Sequence, residues 1–342
     1  MRDMALTHAI AALGVAVFWS LGLPLPFLFG PMFACLIAAF AGVPLTVFKP
    51  LNAAMRTILG VAVGAAITWS FLQALPALWQ TLIFVPIMLL LIGGLGVPYF
   101  QRLCGYDFPT SYYAAMPGGL QDMLVFGQEA GGNLRAISLI HATRVLLVVT
   151  ALPIILVAIW DVDLTRPPGD PASSIAPGEL ALMAFCGLAG WGIAKRIGLF
   201  GASILGPMIL TGALSVAGII TQRPPAEAIW AAQFFIGLSV GVNYRGITVM
   251  ELRRDVAASF GFCVLLAGIT ALVIEVIALT GVAPLQDALL ALAPGGQAEM
   301  AVLAIIVGAD VAFVVAHHVF RLLLVIIGAP IAARLFGAKP LD

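Results

Sequence analysis

The sequence predicts an all-α polytopic membrane protein made of two inverted-topology repeats. Each repeat has about five transmembrane helices plus a re-entrant or broken helix with a Pro-Gly-Gly tip. Three observations carry this reading. The chain is 62% hydrophobic and 9% charged, with a mean hydropathy of +1.11, whereas soluble domains are roughly 25% charged. One half of the chain repeats in the other. The positive charges fall on opposite loops in the two halves.

Twelve apolar segments can be drawn. Runs such as "FLFGPMFACLIAAFAGV" from Phe27 and "TLIFVPIMLLLIGGLGV" from Thr81 approach the ~20 residues that span a bilayer as a helix. The first segment follows Arg2 but precedes no small-residue cleavage site, and it aligns with a later internal segment. It therefore reads as a membrane helix rather than a signal peptide. At an offset of 176 residues, Gly14, Gly22 and "FGPM" from Phe29 meet Gly190, Gly198 and "LGPM" from Leu205. At 177, "GVAVG" from Gly60 meets "GLSVG" from Gly237, "PGG" meets "PGG", and "HATR" from His141 meets "HVFR" from His318. The repeats are thus 1–170 and 171–342, forming one integral membrane domain and joined through the solvated stretch "DVDLTRPPGDPASS".

Each repeat holds six segments. In the first, Lys49, Arg56 and Arg102 follow segments two and four. In the second, Lys195 and Arg196, then Arg245, Arg253 and Arg254, follow segments one and three. Positive residues collect in cytoplasmic loops, so the repeats are expected to be inverted, which requires an odd number of crossings in each. One segment of six must fail to cross. The fifth is the candidate, since "AAMPGGLQDM" (114–123) and "LAPGGQAEM" (292–300) interrupt otherwise apolar runs. From Asp107 to Met116 a helix would reach about 15 Å, half a hydrocarbon core. Proline lacks an amide hydrogen and glycine tolerates unusual backbone angles, so Pro117, Gly118 and Gly119, like Pro294, Gly295 and Gly296, suit a re-entrant tip. Two Pro-kinked crossing helices are the alternative. With re-entrant tips, both termini, Arg102, Arg135, Lys195, Arg253, Arg334 and Lys339 fall inside, the acidic linker falls outside, and Arg223 dissents.

Irregular backbone at membrane depth survives only beside protein or a water-filled cavity, so the tips are expected to line a binding site. Asp122 and Glu299 occupy matching positions three residues past each second glycine. Deep carboxylates are costly and usually functional. His141 with Arg144, and His318 with Arg321, share a helix face at a spacing of three. In the functional reading, Asp122 and Glu299 bind a coupling proton or sodium ion, and Arg144 and Arg321 hold an anionic solute. In the structural reading, each acid pairs with its neighbouring arginine and ties the hairpin to the next helix. His317 and His318 point about 100° apart on a helix, which argues against a shared metal. Asn133 and Asp310 read as helix N-caps. The Gly60/Gly64 and Gly237/Gly241 pairs read as close-packing contacts.

Zero net charge and the absence of a basic run exclude a nucleic-acid partner. Cys35, Cys104, Cys186 and Cys263 are scattered without a CxxC pair, so neither a disulfide framework nor a thiolate metal site is expected. "GGLGVP" from Gly93 lacks the third glycine of a dinucleotide fingerprint. The expected partners are a small solute and the lipid bilayer, with no cofactor beyond a coupling ion.

"GPM", "PGGLQDM" and "PGGQAEM", and the following "HATR" and "HVFR", resemble the integral-membrane AbrB-duplication proteins over almost the entire chain. That family has been linked to regulation of gene expression, and some members carry an ammonia monooxygenase label. Neither role follows from these residues, and the family name is shared with a small soluble DNA-binding regulator whose domain is not found here. The resemblance implies kinship with cation:proton antiporters and anion transporters that move one domain against another in an elevator-like manner, often as homodimers. It also implies a bacterial-type inner membrane location. The halves differ where Leu120-Gln121 becomes Gln297-Ala298 and Arg135 becomes Ala312. The expectation is a secondary transporter rather than an enzyme. A membrane-embedded sensor affecting gene expression without transport is the alternative, and a redox enzyme is a lesser one.

Overall fold

The computed structural model describes residues 2–199 and 201–335. Lys339 lies outside them, as do the side chains of Gln121 and Arg334. All regular structure among the described residues is helical. In the first repeat the helices are α1 (Arg2–Ser20), α2 (Pro26–Phe40), α3 (Lys49–Gly64), α4 (Trp69–Ala74), α5 (Trp79–Leu82), α6 (Phe84–Pro98), α7 (Phe108–Ala115), α8 (Leu120–Glu129) and α9 (Leu134–Trp160). In the second they are α10 (Pro177–Arg196), α11 (Ala202–Val216), α12 (Ala226–Val242), α13 (Val249–Glu251), α14 (Ala257–Thr280), α15 (Leu285–Leu292), α16 (Gln297–Val307) and α17 (Val311–Leu335). A π-helical turn, Tyr99–Leu103, extends α6, and another, Leu252–Val256, leads into α14.

Among the described residues, six stretches are long and apolar enough to cross a membrane: Arg2–Ser20, Leu75–Leu103, Leu134–Trp160, Pro177–Arg196, Val249–Thr280 and Val311–Ala333. They coincide with the first, fourth and sixth of the apolar segments drawn in each half of the sequence. The fifth segment is broken in both. Its arms have 8 and 10 residues in the first repeat and 8 and 11 in the second. At about 1.5 Å per residue each arm spans roughly half a hydrocarbon core.

By internal contacts the chain divides into two compact units, and each draws on both repeats. The first comprises Met1–Pro76, Val157–Gly246 and Ala298–Ala312; the second comprises Ala77–Leu156, Ile247–Gln297 and Phe313–Asp342.

Within the first unit, α2 packs on α12 and α3 on α11, while α1 lies against α2 and α10 against α11. The two paired glycines at each crossing explain the closeness. A Cβ built at Gly60 or Gly64 would meet the backbone or side chains of Ile204, Pro207, Met208 and Thr211, and one at Gly237 or Gly241 would meet Leu28, Met32 and Cys35. The packing role expected of these glycines is borne out. A matched expectation follows. Gly237→Ala drives a methyl onto the Leu28 carbonyl, so it should cost about 1 to 3 kcal/mol and lower the thermal unfolding midpoint in detergent. Gly192→Ala, which meets nothing within 4 Å, should leave the midpoint unchanged or raised. Equal midpoints for the two variants would contradict this account of the crossing.

Within the second unit the first π-helical turn packs on the start of α14, and Tyr106 just beyond it reaches the second. Tyr99 donates to the Ala258 carbonyl at 2.9 Å, Tyr106 donates to Asp255 Oδ1 at 2.5 Å, and the Phe100 and Phe262 rings lie 4.8 Å apart. Arg254 sits 4.5 Å above the Tyr106 ring. Burial, then the bond to Asp255, push the Tyr106 phenol above its ordinary value. Ser259 ties α14 to the Ile140 carbonyl of α9 at 2.9 Å, and Tyr112 ties α7 to Ala329 of α17 at 3.0 Å. Arg135, which has no arginine counterpart in the second repeat, pairs with Glu251 at 2.8 Å.

Candidate functional site

Asp107 caps α7, its carboxylate accepting from the Thr110 amide at 2.7 Å. The helix stops at Ala115 because Met116 precedes a proline and adopts an extended conformation (φ −62°, ψ 127°). Four residues, Met116 to Gly119, turn the chain into α8. The first broken segment is a hairpin rather than a kinked rod. The Asn133 amide, just beyond α8, donates to Thr110 Oγ1 at the start of α7 at 2.8 Å, and Tyr113 of α7 faces Phe126 of α8. Asn133 then caps α9, its Oδ1 accepting from the Ala136 amide at 3.1 Å. In the second repeat α15 ends the same way, with Ala293 extended before Pro294 (φ −56°, ψ 135°).

A broken helix leaves carbonyls without partners at the end of its first arm, where the helix dipole is negative. The His-Arg pairs answer this in both repeats. His141 Nε2 lies 2.8 Å from the Tyr113 carbonyl, and Arg144 donates to the Met116 carbonyl at 3.4 Å. His318 Nε2 lies 2.9 Å from the Leu290 carbonyl. Arg321 donates to the Ala293 carbonyl at 3.0 Å and to Gly295 at 2.7 Å. Histidine, arginine and their carbonyls stand 28 residues apart in each repeat. A carbonyl can only accept, so Nε2 carries the hydrogen in both histidines. The acid-to-arginine pairing weighed from sequence is not what holds these guanidiniums, whose observed partners are backbone carbonyls.

The acids stand at the other end of the break. Asp122 and Glu299 are the third residues of α8 and α16, in the first turn, where the helix dipole favours negative charge. Asp122 is half-buried and folds back over Gly119, while Glu299 is only 7% exposed. Asp122 belongs to the second unit and Glu299 to the first. A Cβ at Gly118 would press on the side chains of Met123 and Val325. Gly296 precedes the first residue of α16.

Within the second unit, Pro117 and Pro294, one from each tip, line a single narrow cleft together with Arg321, His317, Met88 and Ile92. Its volume is about 10 Å³, the space of one water. The cleft therefore brings Pro117, Pro294 and Arg321 together, while His141 and His318 are buried at the Tyr113 and Leu290 carbonyls. Arg144 is buried in the same unit, so two guanidiniums are held away from solvent there. The sequence reading weighed His317 only as a metal ligand and did not single out Thr81, yet the two side chains hydrogen-bond to each other at 2.9 Å. The available signal was the spacing of four between His317 and Arg321, which puts both on one helix face.

A family profile described as "Transition state regulatory protein AbrB" matches residues 27–337. The chain belongs to the AbrB family. Within it, the chain is 30% identical over 296 residues to "Uncharacterized protein YhjN" of Bacillus subtilis (strain 168), an alignment covering 82% of this chain and 77% of that one. It is 25% identical over 333 residues to "Putative regulator AbrB" of Escherichia coli (strain K12), covering 93% and 91% respectively. Family membership fits the multi-pass helices, and the doubled tips and His-Arg pairs give this AbrB protein its candidate site.

Proposed function

We propose that this AbrB-family protein is a secondary transporter of a small anionic or carboxylate-bearing solute, driven by a proton or sodium gradient. The observation that carries the reading is the meeting of the two Pro-Gly-Gly tips beside buried Arg321, in a unit that also buries Arg144. A planar guanidinium can give a carboxylate two charge-assisted bonds, and a second buried cation nearby makes an anion the favoured neutraliser. Broken helices at membrane depth are the usual place for transported solutes. Asp122 and Glu299, at the starts of α8 and α16, are the candidates for the coupling ion. The unit that carries both tips exchanges access as one body, in an elevator-like cycle in the inner membrane, with both chain termini cytoplasmic.

The Escherichia coli relative is named a regulator, and a membrane-embedded regulator that affects gene expression without transport is the second reading. Binding separates the two only in part, but it tests the site directly. Thermal unfolding in detergent should rise with sodium acetate, sodium succinate or sodium citrate at matched ionic strength. A ligand at a hundred times its Kd adds about 2.7 kcal/mol. Arg321→Lys should remove most of that gain. A panel that shifts neither protein beyond the effect of sodium chloride would count against an anion site.

A further inference from the structure

We propose that His317 and Thr81 form a proton-binding site at the edge of the cleft, separate from the paired carboxylates. The inference follows from counting hydrogens. His317 Nδ1 lies 2.8 Å from the Phe313 carbonyl, which can only accept, so Nδ1 carries a hydrogen. Nε2 lies 2.9 Å from Thr81 Oγ1, and Thr81 Oγ1 lies 3.0 Å from the Leu78 carbonyl. The hydroxyl has one hydrogen for these two neighbours. With His317 neutral, the hydroxyl donates to Nε2, and the Leu78 carbonyl is still served by the amides of Thr81 and Leu82 at 3.0 and 2.8 Å. With His317 protonated, Nε2 donates to Oγ1 and the hydroxyl turns to Leu78. Both states leave every buried polar group paired, so protonation strands no donor or acceptor, and what opposes it is the burial of one charge.

The other two buried histidines of this unit lack that freedom. His141 and His318 spend Nε2–H on a carbonyl, and their Nδ1 atoms are buried without a partner. A second proton there would have no acceptor and would face Arg144 or Arg321. The Phe313 ring, 4.3 Å from the His317 ring centroid, can favour the charged imidazole through its face.

The charged and titratable groups near His317 are His318 and Arg321 on its own helix, with Arg144 of α9 acting on Arg321. The neighbouring α5 presents Thr81, and α6, α15 and the two tips present apolar side chains to the cleft. A protonated His317 therefore places a second positive charge on the cleft beside Arg321. This coupling rests on the anion-site reading above. An anion in the cleft would favour the proton, and by reciprocity the proton would favour the anion.

The test is ¹⁵N NMR of histidine-labelled protein in nanodiscs from about pH 8 to pH 5, the window in which imidazoles ordinarily titrate, with His317→Gln identifying the signal. Expected is a His317 Nε2 that passes from unprotonated to protonated across the scan, while His141 and His318 hold one Nε2–H tautomer. Thr81→Val should lower the His317 midpoint by about one pH unit, the value of one charge-assisted bond over a neutral one, and Thr81→Ser should restore it. A His317 that keeps one tautomer without taking up a proton overturns the site, as does a midpoint indifferent to Thr81→Val. Sodium succinate should raise the midpoint relative to sodium chloride. Proton uptake that succinate leaves unmoved would uphold the proton site and count against the anion reading alone.

Discussion

Arg321→Lys should cut gradient-driven uptake at least tenfold, and Arg144→Lys should cost only a few-fold. Both variants keep the charge, so the difference must come from geometry. Arg321 holds the Ala293 and Gly295 carbonyls together at 3.0 and 2.7 Å, pinning both sides of the second tip. An ammonium reaches as a point charge and cannot span that pair as a planar fork does. Losing one bond to a charged donor costs about 1.5 to 3 kcal/mol, which is roughly ten- to a hundredfold in an equilibrium. Arg144 makes one longer bond, 3.4 Å, to the Met116 carbonyl, so it has less to lose. Uptake assays paired with thermal unfolding separate a displaced tip from a misfolded chain. Equal losses at the two arginines would contradict the asymmetry seen in their carbonyl contacts.

The second large effect is expected at the carboxylates. Glu299→Gln should abolish ion-coupled uptake while the protein remains folded, and Asp122→Asn should weaken it, because Glu299 is buried and Asp122 only half so. Each substitution is nearly isosteric and removes charge from the first turn of a half-helix. The structural cost of that loss is about 0.3 to 1 kcal/mol, rising towards 2 in buried settings. Such a cost would lower the unfolding midpoint by a few degrees without stopping transport. A coupling role predicts much more: uptake that no longer responds to the imposed proton or sodium gradient. The measurement is initial uptake rate with and without each gradient. If both variants keep a wild-type gradient response, the acids serve only the helix termini.

Much of the fold was legible because hydropathy and repetition are properties of the chain itself. The long helices recur as segments one, four and six of each repeat, and the doubled Pro-Gly-Gly marked both breaks. The glycine pairs at 60/64 and 237/241 announced close crossings, since only small residues allow them. The division into units was not legible, because each unit is assembled from both repeats and such long-range assembly leaves no local pattern. The arginines show the same limit at the site. Sequence offers Asp122 and Glu299 as visible partners for Arg144 and Arg321, but the partners observed are the carbonyls of Met116, Ala293 and Gly295. Backbone acceptors are invisible in a sequence until a broken helix exposes them. His317 was set aside as a metal ligand for sound geometric reasons, yet its spacing of four from Arg321 placed it on the cleft.

The central claim is that this AbrB-family protein moves a small anion against its gradient by coupling to an ion. The measurement that tests it most directly is accumulation of labelled acetate, succinate and citrate in proteoliposomes. Each is supplied under an inward proton gradient, an inward sodium gradient, or neither, with Arg321→Lys vesicles alongside. The account predicts accumulation of at least one of these anions above the equilibrium level under one gradient, abolished by dissipating that gradient and reduced at least tenfold by Arg321→Lys. Folded wild-type protein that accumulates none of the three under either gradient would contradict transport of this solute class and favour the non-transporting regulator.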